Sequence, residues 1–301
     1  MAKDILATSP GARAVFERVD AALGEPLSAL ILGGPEEQLT LTTNAQPALV
    51  AASMAVLAAI HERVPGLPPP AFAGGHSLGE YSALVAASAL SLDDAVRLVR
   101  ARGRAMQDAV PPGTGAMAAI VGMDPGRVEA LCVEAARGDV VAPANYNAPG
   151  QIVIAGHAGA VARAAALVVA AKGRVIPLNV SAPFHCSLMA PAASILERHL
   201  AVVTIDNPRF PIVANFDARP NSAAARVREL LVRQVDGAVL WEASIRHMVA
   251  SGVTRALEIG PGKVLAGLVK RIAKNVPVLS VGDVASLELV SEFLAGDPSG
   301  S

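Results

Sequence analysis

Apolar residues recur at helical spacing in many segments of the chain. Ser9 or Thr8 could cap a helix over residues 12–23, in which the apolar positions share one face: Phe16, Val19 and Leu23. Ser91 is predicted to cap a second helix, which ends near Pro111. The same pattern predicts further helices at 46–60, 81–87, 125–137, 161–172, 188–202, 223–235, 241–250, 263–274 and 287–294.

Short apolar runs bounded by glycine, proline or polar residues alternate with these helices. They predict strands at 70–73, 115–121, 140–144, 151–155, 174–178, 210–214, 255–259 and 276–281. Alternation of strand and helix is typical of a mostly parallel sheet with helices on both faces. We therefore expect an α/β fold of hydrolase-like architecture.

The middle of the chain has a different order of elements. Two strands joined by a turn-rich link at 145–150 follow one another between two helices, giving the order β-α-β-β-α-β of a ferredoxin-like unit. We expect this small subdomain to span 113–179 and to be inserted into a large subdomain formed by 1–112 and 180–301. Residues 298–301 are predicted to be a frayed tail.

Residues 75–79 have the sequence GHSLG, which matches G-x-S-x-G, and they lie between a predicted strand and a predicted helix. A serine on so tight a turn crowds its neighbours, so we expect both flanking positions to require glycine. The helix N-terminus directs N–H groups at the atom that the hydroxyl attacks, which favours developing negative charge. We interpret Ser77 as a nucleophile; a Gly-rich turn without chemistry is the alternative.

Composition narrows the class of protein. The chain has 301 residues, of which 52% are apolar and 17% charged, and its net charge is −1. This favours a globular protein and gives no reason to expect a nucleic acid or an anionic membrane as partner. The two cysteines lack metal-type spacing and suit a reducing compartment, and Cys186 is interpreted as a small apolar residue. With no signal peptide and no membrane span predicted, we expect a cytoplasmic location.

A serine hydroxyl needs a base, and six histidines are available. His185 is favoured because it lies in a Pro-containing loop where the chain re-enters the large subdomain and a cleft is expected. His76 is too close in sequence to Ser77 to reach it well. A third, acidic member of a triad is not evident, since surface or capping roles suffice for the candidates: Asp93, Asp94, Asp108, Asp124 and Asp139. A carbonyl or an amide could orient the imidazole instead.

Several segments together resemble the malonyl-CoA–acyl carrier protein transacylases. They are ordered and spaced as in that family from about residue 12 to about residue 274. These segments are GHSLGEYSALV at 75–85, RG at 102–103 with MQ at 106–107, GTGAMAAI at 113–120, NYNAPGQIVIAG at 145–156, APFH at 182–185 and EIGPGKVL at 258–265.

The resemblance implies that Ser77 takes the malonyl group from malonyl-CoA as an ester and passes it to the phosphopantetheine thiol of acyl carrier protein. His185 would activate Ser77 and then that thiol, and the backbone carbonyl of Gln234 would orient His185. The Leu78 N–H would supply one oxyanion donor. No cofactor or metal is implied.

The resemblance also implies residues that bind the substrate. Arg102 would hold the free malonyl carboxylate through paired hydrogen bonds that lysine cannot copy; without the resemblance it would be one of several solvated arginines on its helix. Phe184 would leave little room for a methyl branch, which favours malonyl over methylmalonyl groups. His76 and Asn147 are expected to belong to the same substrate site.

The sequence departs from the family in two places. Family members normally begin with an apolar strand and a Gly-Gln-Gly-Ser-Gln segment, whose glutamine gives the second oxyanion N–H, and neither is present here. We expect that the start has been placed too late; the alternative is a shortened protein that lacks a central strand and reacts ~100-fold more slowly. Ala238 lies where a proline is usual, and we expect little consequence.

Basic residues near the C-terminus permit two interpretations. Lys263 could contact a phosphate at a helix N-terminus, although a plain strand-to-helix turn is favoured. Lys270, Arg271 and Lys274 could receive an acidic carrier protein or could form a solvated helix face.

The sequence thus predicts a monomeric, cytoplasmic malonyl transferase of fatty acid synthesis. A serine ester or thioester hydrolase and a non-catalytic protein that binds malonyl groups or carrier protein are the alternatives. A trans-acting acyltransferase of a polyketide pathway is a variant that the sequence does not separate.

Overall fold

The computed structural model describes residues 1–296, so the predicted tail at 298–301 lies outside the described residues. Its α-helices are α1 (Lys3–Thr8), α2 (Pro10–Leu23), α3 (Leu27–Gly33), α4 (Glu36–Leu39), α5 (Thr42–Arg63), α6 (Gly79–Ala86), α7 (Leu92–Asp108), α8 (Pro125–Ala136), α9 (Ala158–Ala170), α10 (Ala190–Ala201), α11 (Ala224–Asp236), α12 (Trp241–Ala250), α13 (Val264–Ile272), α14 (Val284–Glu288) and α15 (Val290–Ala295). The strands are β1 (Gly115–Val121), β2 (Val141–Ala148), β3 (Gln151–His157), β4 (Arg174–Pro177), β5 (Ile212–Val213), β6 (Pro220–Asn221), β7 (Ala256–Ile259) and β8 (Val278–Val281). The α/β class expected from the sequence is confirmed.

The middle of the chain forms a four-stranded sheet in the order β2-β3-β1-β4, with antiparallel pairing throughout. The predicted β-α-β-β-α-β order is therefore confirmed, and the strand order is that of a ferredoxin-like unit. Apolar residues of α8 and α9 cover one face of this sheet, and the other face packs against Cys186, next to His185. The boundaries at 113 and 179 stay a prediction.

The turn-rich link predicted at 145–150 is wrong in its extent. Strand β2 continues through Ala148, and the turn itself is reduced to Pro149 and Gly150. The polar residues can stay in the strand because β2 changes register against β3 twice, between Pro143 and Asn145 and between Tyr146 and Ala148.

Elsewhere in residues 1–296, parallel pairing is confined to short segments. Strands β7 and β8 are parallel, and the segment that precedes Ser77 forms only a parallel bridge between Ala73 and Ile212. The strand predicted at 70–73 is thus a single paired residue, because the prolines at 68–70 have no N–H groups to pair. The expectation that one central strand is absent concerns sequence before Met1 and stays a prediction.

Helices α5 and α7 form the centre of the largest apolar core. Helix α5 is long and apolar enough to span a membrane, but 61% of its most apolar window is buried inside the structure. Gly103 allows α7 to approach α5, since a Cβ there would lie 2.7 Å from the Thr42 carbonyl oxygen. Arg102, the neighbour of Gly103, is buried in the interior.

The predicted helix caps are confirmed at two positions. Ser9 Oγ accepts a hydrogen bond from Ala12 N at 2.9 Å, and Ser91 Oγ accepts one from Asp94 N at 3.0 Å. The short helices α1, α3 and α4 were not predicted, because each has too few residues to show a period. The helix predicted at 287–294 is divided at Leu289 into α14 and α15.

Candidate active site

Ser77 lies on a strained turn immediately before α6. Its φ is +50°, in the left-handed region that residues with a side chain rarely adopt. Two side-chain amides hold this conformation: Ser77 N donates to Asn215 Oδ1 at 2.6 Å, and Gln234 Nε2 donates to the Ser77 carbonyl oxygen at 2.9 Å. The turn is therefore fixed from both sides by groups distant in sequence.

The two glycines of the motif are not equivalent. A Cβ at Gly75 would lie 2.2 Å from the backbone of Gly79, so glycine is required there. A Cβ at Gly79 would meet nothing within 4 Å. The expectation that both positions require glycine is thus wrong for Gly79, because a Cβ there would enter open space.

His185 lies beside the Ser77 hydroxyl. Its Nε2 is 2.7 Å from Ser77 Oγ, and its Nδ1 is 2.8 Å from the carbonyl oxygen of Gln234. Because a carbonyl can only accept, Nδ1 carries the proton and Nε2 is free to accept one. Burial, reinforced by the nearby Arg102 charge, lowers the pKa of His185 to about 3. The imidazole is therefore neutral and has the tautomer that a base for Ser77 needs.

Four of the five aspartates that could have completed a triad have other partners. The carboxylates of Asp94 and Asp124 accept hydrogen bonds at the starts of α7 and α8, whereas Asp93 and Asp139 bind Arg18 and Arg163. A backbone carbonyl thus occupies the place of the acid, as the resemblance implied.

Arg102 is buried beside the same hydroxyl, with 2% of its surface exposed. One terminal nitrogen, Nη2, donates to Ser77 Oγ at 3.0 Å and to Gln234 Oε1 at 2.9 Å, and Nη1 donates to Gln46 Oε1 at 2.7 Å. These acceptors are all neutral, and Nε has no partner among residues 1–296. The guanidinium is therefore a buried positive charge that a substrate carboxylate can neutralise.

The start of α6 offers a donor for an oxyanion. Gly79 N and Glu80 N donate to the carbonyl oxygens of His76 and Ser77. The Leu78 N–H has no acceptor within the part of the chain that the structure describes. This N–H adjoins Ser77, as the resemblance implied.

His76 links the nucleophile turn to the small sheet. Its Nε2 lies 2.8 Å from Asn147 Oδ1 on β2, and its ring centroid is 5.8 Å from that of Trp241. Burial lowers the pKa of His76, so the ring is neutral. Phe184 is half-buried and packs against both the large core and the sheet face around Cys186. The structure thus brings together the residues named from the sequence.

Three polar residues of the site were missed: Gln46, Glu80 and Asn215. Glu80 had a signal in the sequence, since it is the only Asp, Glu, Lys or Arg between Arg63 and Asp93. An isolated charge in an apolar segment usually has a buried partner. Gln46 and Asn215 had no such signal, because amides are common on helix surfaces and in loops.

The turn at Lys263 supports the plain interpretation. The carboxylate of Glu258 accepts hydrogen bonds from Leu265 N at 2.8 Å and Ala266 N at 3.1 Å, so it already occupies the start of α13. Lys263, Lys270 and Lys274 line a groove of about 830 Å³ beside β8.

Comparisons with known proteins agree on one family. The model of the acyl transferase domain family matches residues 1–294. The malonyl CoA-acyl carrier protein transacylase of Escherichia coli K12 is 46% identical over 294 residues, which are 97% of this chain and 94% of that protein. The transacylase of the same name from Bacillus subtilis is 46% identical over 98% of this chain and 92% of its own length.

Solved structures show the same likeness. An acyl carrier protein S-malonyltransferase from Vibrio cholerae superposes with a TM-score of 0.93 at 43% identity, covering 96% of this chain and 94% of that one. A malonyl-transacylase in complex with its type II polyketide acyl carrier protein gives a TM-score of 0.94 at 44% identity, covering 97% and 94%.

Proposed function

The chain belongs to the acyl transferase family, and on that premise we propose that it transfers malonyl groups from malonyl-CoA to acyl carrier protein through an ester on Ser77. One observation carries the proposal: the Ser77 hydroxyl lies within hydrogen-bond distance of both a neutral imidazole and a buried guanidinium. A base and a carboxylate anchor beside one nucleophile fit an acyl thioester that also bears a free carboxylate.

In the first half-reaction, Ser77 Oγ attacks the thioester carbonyl of malonyl-CoA while His185 Nε2 takes the hydroxyl proton. Nδ1 keeps its proton and its bond to the Gln234 carbonyl, which stabilises the imidazolium that forms. The negative charge on the thioester oxygen faces the Leu78 N–H. The C–S bond then breaks, His185 returns the proton to the coenzyme A sulfur, and malonyl-Ser77 remains.

Arg102 accounts for the choice of acyl group. The free carboxylate of the malonyl group can take the place of the neutral oxygens on the guanidinium, and the charge-assisted pair lies in a site that excludes water. An acetyl group leaves the buried guanidinium without a carboxylate in contact with it. Selection for malonyl groups therefore follows from the burial of Arg102.

In the second half-reaction, the phosphopantetheine thiol of acyl carrier protein replaces coenzyme A. His185 takes the thiol proton, the thiolate attacks the ester carbonyl, and the C–O bond to Ser77 breaks as His185 returns the proton to Oγ. These steps need only proton transfer between named atoms, so no cofactor or metal is part of the proposal. Phe184, His76 and Asn147 are proposed to line the acyl site.

The proposed partner is an acyl carrier protein, and the proposed setting is a biosynthetic pathway that uses one. An acidic carrier protein would fit the groove lined by Lys263, Lys270 and Lys274, and one relative was solved as a complex with a polyketide carrier protein. Fatty acid synthesis is the setting predicted here, with a polyketide pathway as its variant. The monomeric state and the cytoplasmic location also stay predictions.

The proposal is tested by brief exposure of the protein to malonyl-CoA, followed by intact mass measurement and addition of phosphopantetheinylated carrier protein. We expect one malonyl adduct that moves to the carrier, and no adduct on Ser77→Ala, which should lower the rate about 10⁴-fold or more. Ser82→Ala, on α6, is the control. Rapid release of free malonate without a carrier would indicate the hydrolase alternative, and no adduct on the folded protein would indicate a binding role.

A further inference from the structure

A buried carboxylate lies directly behind the nucleophile and has no part in the proton transfers above. Glu80 is 2% exposed, and its Oε2 accepts hydrogen bonds from Asn215 N at 2.9 Å and from Gln234 Nε2 at 2.8 Å. A carboxylate in an apolar core is costly unless its hydrogen bonds are made. Glu80 therefore depends on these two residues, and they on it.

The two residues that Glu80 holds are those that hold Ser77. The Asn215 side chain accepts from Ser77 N at 2.6 Å and donates to the Gly75 carbonyl oxygen at 2.8 Å, while Gln234 Nε2 donates to the Ser77 carbonyl oxygen at 2.9 Å. Both backbone polar groups of the strained serine are thus bonded to side chains of the two residues that Glu80 binds, Asn215 through its backbone N–H and Gln234 through its side-chain amide. A conformation with φ of +50° persists only where its surroundings determine it in this way.

Glu80 also selects one orientation of the Gln234 amide. In the structure, Oε1 of Gln234 faces the donor Arg102, and Nε2 faces the acceptor oxygens of Glu80 and Ser77. The flipped amide would place its oxygen against two oxygens and its N–H groups against a guanidinium. Glu80 and Arg102, on opposite sides of Gln234, therefore exclude the flipped orientation.

We propose that Glu80 is a positioning residue for acyl transfer, which acts through Asn215 and Gln234 to hold the Ser77 hydroxyl and the Arg102 guanidinium in place. This inference rests on the proposed function. Burial raises the pKa of Glu80 to about 7, while the charge of Arg102 opposes this and that of Asp217 adds to it. Oε2 can accept both hydrogen bonds in either protonation state, so the role depends on the oxygen and not on the charge.

The experiment compares Glu80→Gln with Glu80→Leu in the malonyl transfer assay. Glutamine keeps an oxygen in the place of Oε2, so we expect kcat within about fivefold of the parent protein. Leucine cannot accept either bond, and we expect kcat to fall about 100-fold or more with KM within about threefold, because the nucleophile is misplaced. Glu229→Leu, the same change at an exposed position of α11, is the control.

A purely structural role would lower the stability of Glu80→Leu but leave kcat per folded molecule unchanged. Rates are therefore divided by the folded fraction, which is measured by the fluorescence of Trp241, the single tryptophan and a neighbour of His76. Normal kcat in folded Glu80→Leu, or a loss in Glu80→Gln as large as that in Glu80→Leu, would overturn the inference.

If Glu80→Leu fails to fold, the double variant Glu80→Leu/Gln234→Leu is used to test the inference instead. Replacement of both side chains by apolar residues leaves neither of them unpaired, and only Asn215 N loses its acceptor. Because Gln234 is one of the two residues through which Glu80 acts, the double variant should be at most about tenfold slower than Gln234→Leu alone. A further loss of about 100-fold, as large as that expected for Glu80→Leu in the parent protein, would show that Glu80 does not act through Gln234 and would overturn the inference. Failure of the parent protein to form malonyl-Ser77 would instead contradict the proposed function.

Discussion

Two Gly-rich turns lead from a paired segment into a helix in this protein, and they differ in what lies at the helix start. At α13, the carboxylate of Glu258 binds the N–H groups of Leu265 and Ala266. At α6, the acid in the first turn, Glu80, is directed away from the helix start and binds Asn215 and Gln234. The Leu78 N–H is left without an acceptor within residues 1–296.

The difference shows what converts such a turn into a site. Both helix starts favour negative charge. At α13 the chain supplies that charge itself, and the turn is structural. At α6 the N–H stays open beside a hydroxyl, a neutral base and a buried cation, so the negative charge can come from the substrate.

Among the changes that test this comparison, the largest effect is expected from Arg102→Lys, which changes the cation beside the Ser77 turn. Lysine cannot reach Ser77, Gln46 and Gln234 with the same planar geometry, so kcat/KM for malonyl-CoA should fall about 100-fold or more. The value for acetyl-CoA should change less than about fivefold, because that group has no free carboxylate. Arg104→Lys, at an exposed position of α7, is the control, and equal losses for both substrates would contradict the anchor role.

Replacement of each glycine of the Ser77 turn by alanine shows which of the two positions requires glycine for steric reasons. A Cβ at position 75 would lie 2.2 Å from the Gly79 backbone, so Gly75→Ala should lower the free energy of unfolding by about 2–3 kcal/mol. Gly79→Ala places its methyl group in open space and should change it by less than about 1 kcal/mol. Urea denaturation measures both, and similar losses would be inconsistent with the observed turn.

Glu258→Gln removes the negative charge that binds the N–H groups at the start of α13. Loss of the charged cap should lower the free energy of unfolding by about 1 kcal/mol. The rate of malonyl transfer should stay within about twofold, because Glu258 contacts α13 and Ser280 rather than Ser77. A large loss of rate in this variant would show that the two turns are coupled.

The rate is expected to depend only weakly on pH. A base works when it is unprotonated, and the pKa of His185 is lowered to about 3. The kcat/KM for formation of malonyl-Ser77 should therefore change less than about threefold between pH 8 and pH 5, whereas an ordinary histidine would lose activity below about 6.5. A midpoint near 6.5 in the pH profile would contradict the effect of burial on this imidazole.

Local sequence patterns were sufficient to predict much of the fold. Helix caps at Ser9 and Ser91 and the order of elements in the small sheet follow from residues that are near one another in sequence, and these predictions are confirmed. Prediction was poorer where pairing partners decide the structure, as in β2, whose polar residues stay in the strand because of its register shifts. The motif located Ser77, and the resemblance supplied the roles of Arg102 and Gln234.

The sequence by itself determined the nucleophile turn, the class of fold and the candidate base, because each depends on spacing along the chain. Only the tertiary structure decided that Arg102 is buried among neutral acceptors and that Glu80 binds the two residues that hold the turn. These contacts join residues between 25 and 157 positions apart, from Ser77 with Arg102 to Ser77 with Gln234. Burial and hydrogen-bond partners at such separations are set when the elements pack together, and no local pattern records them.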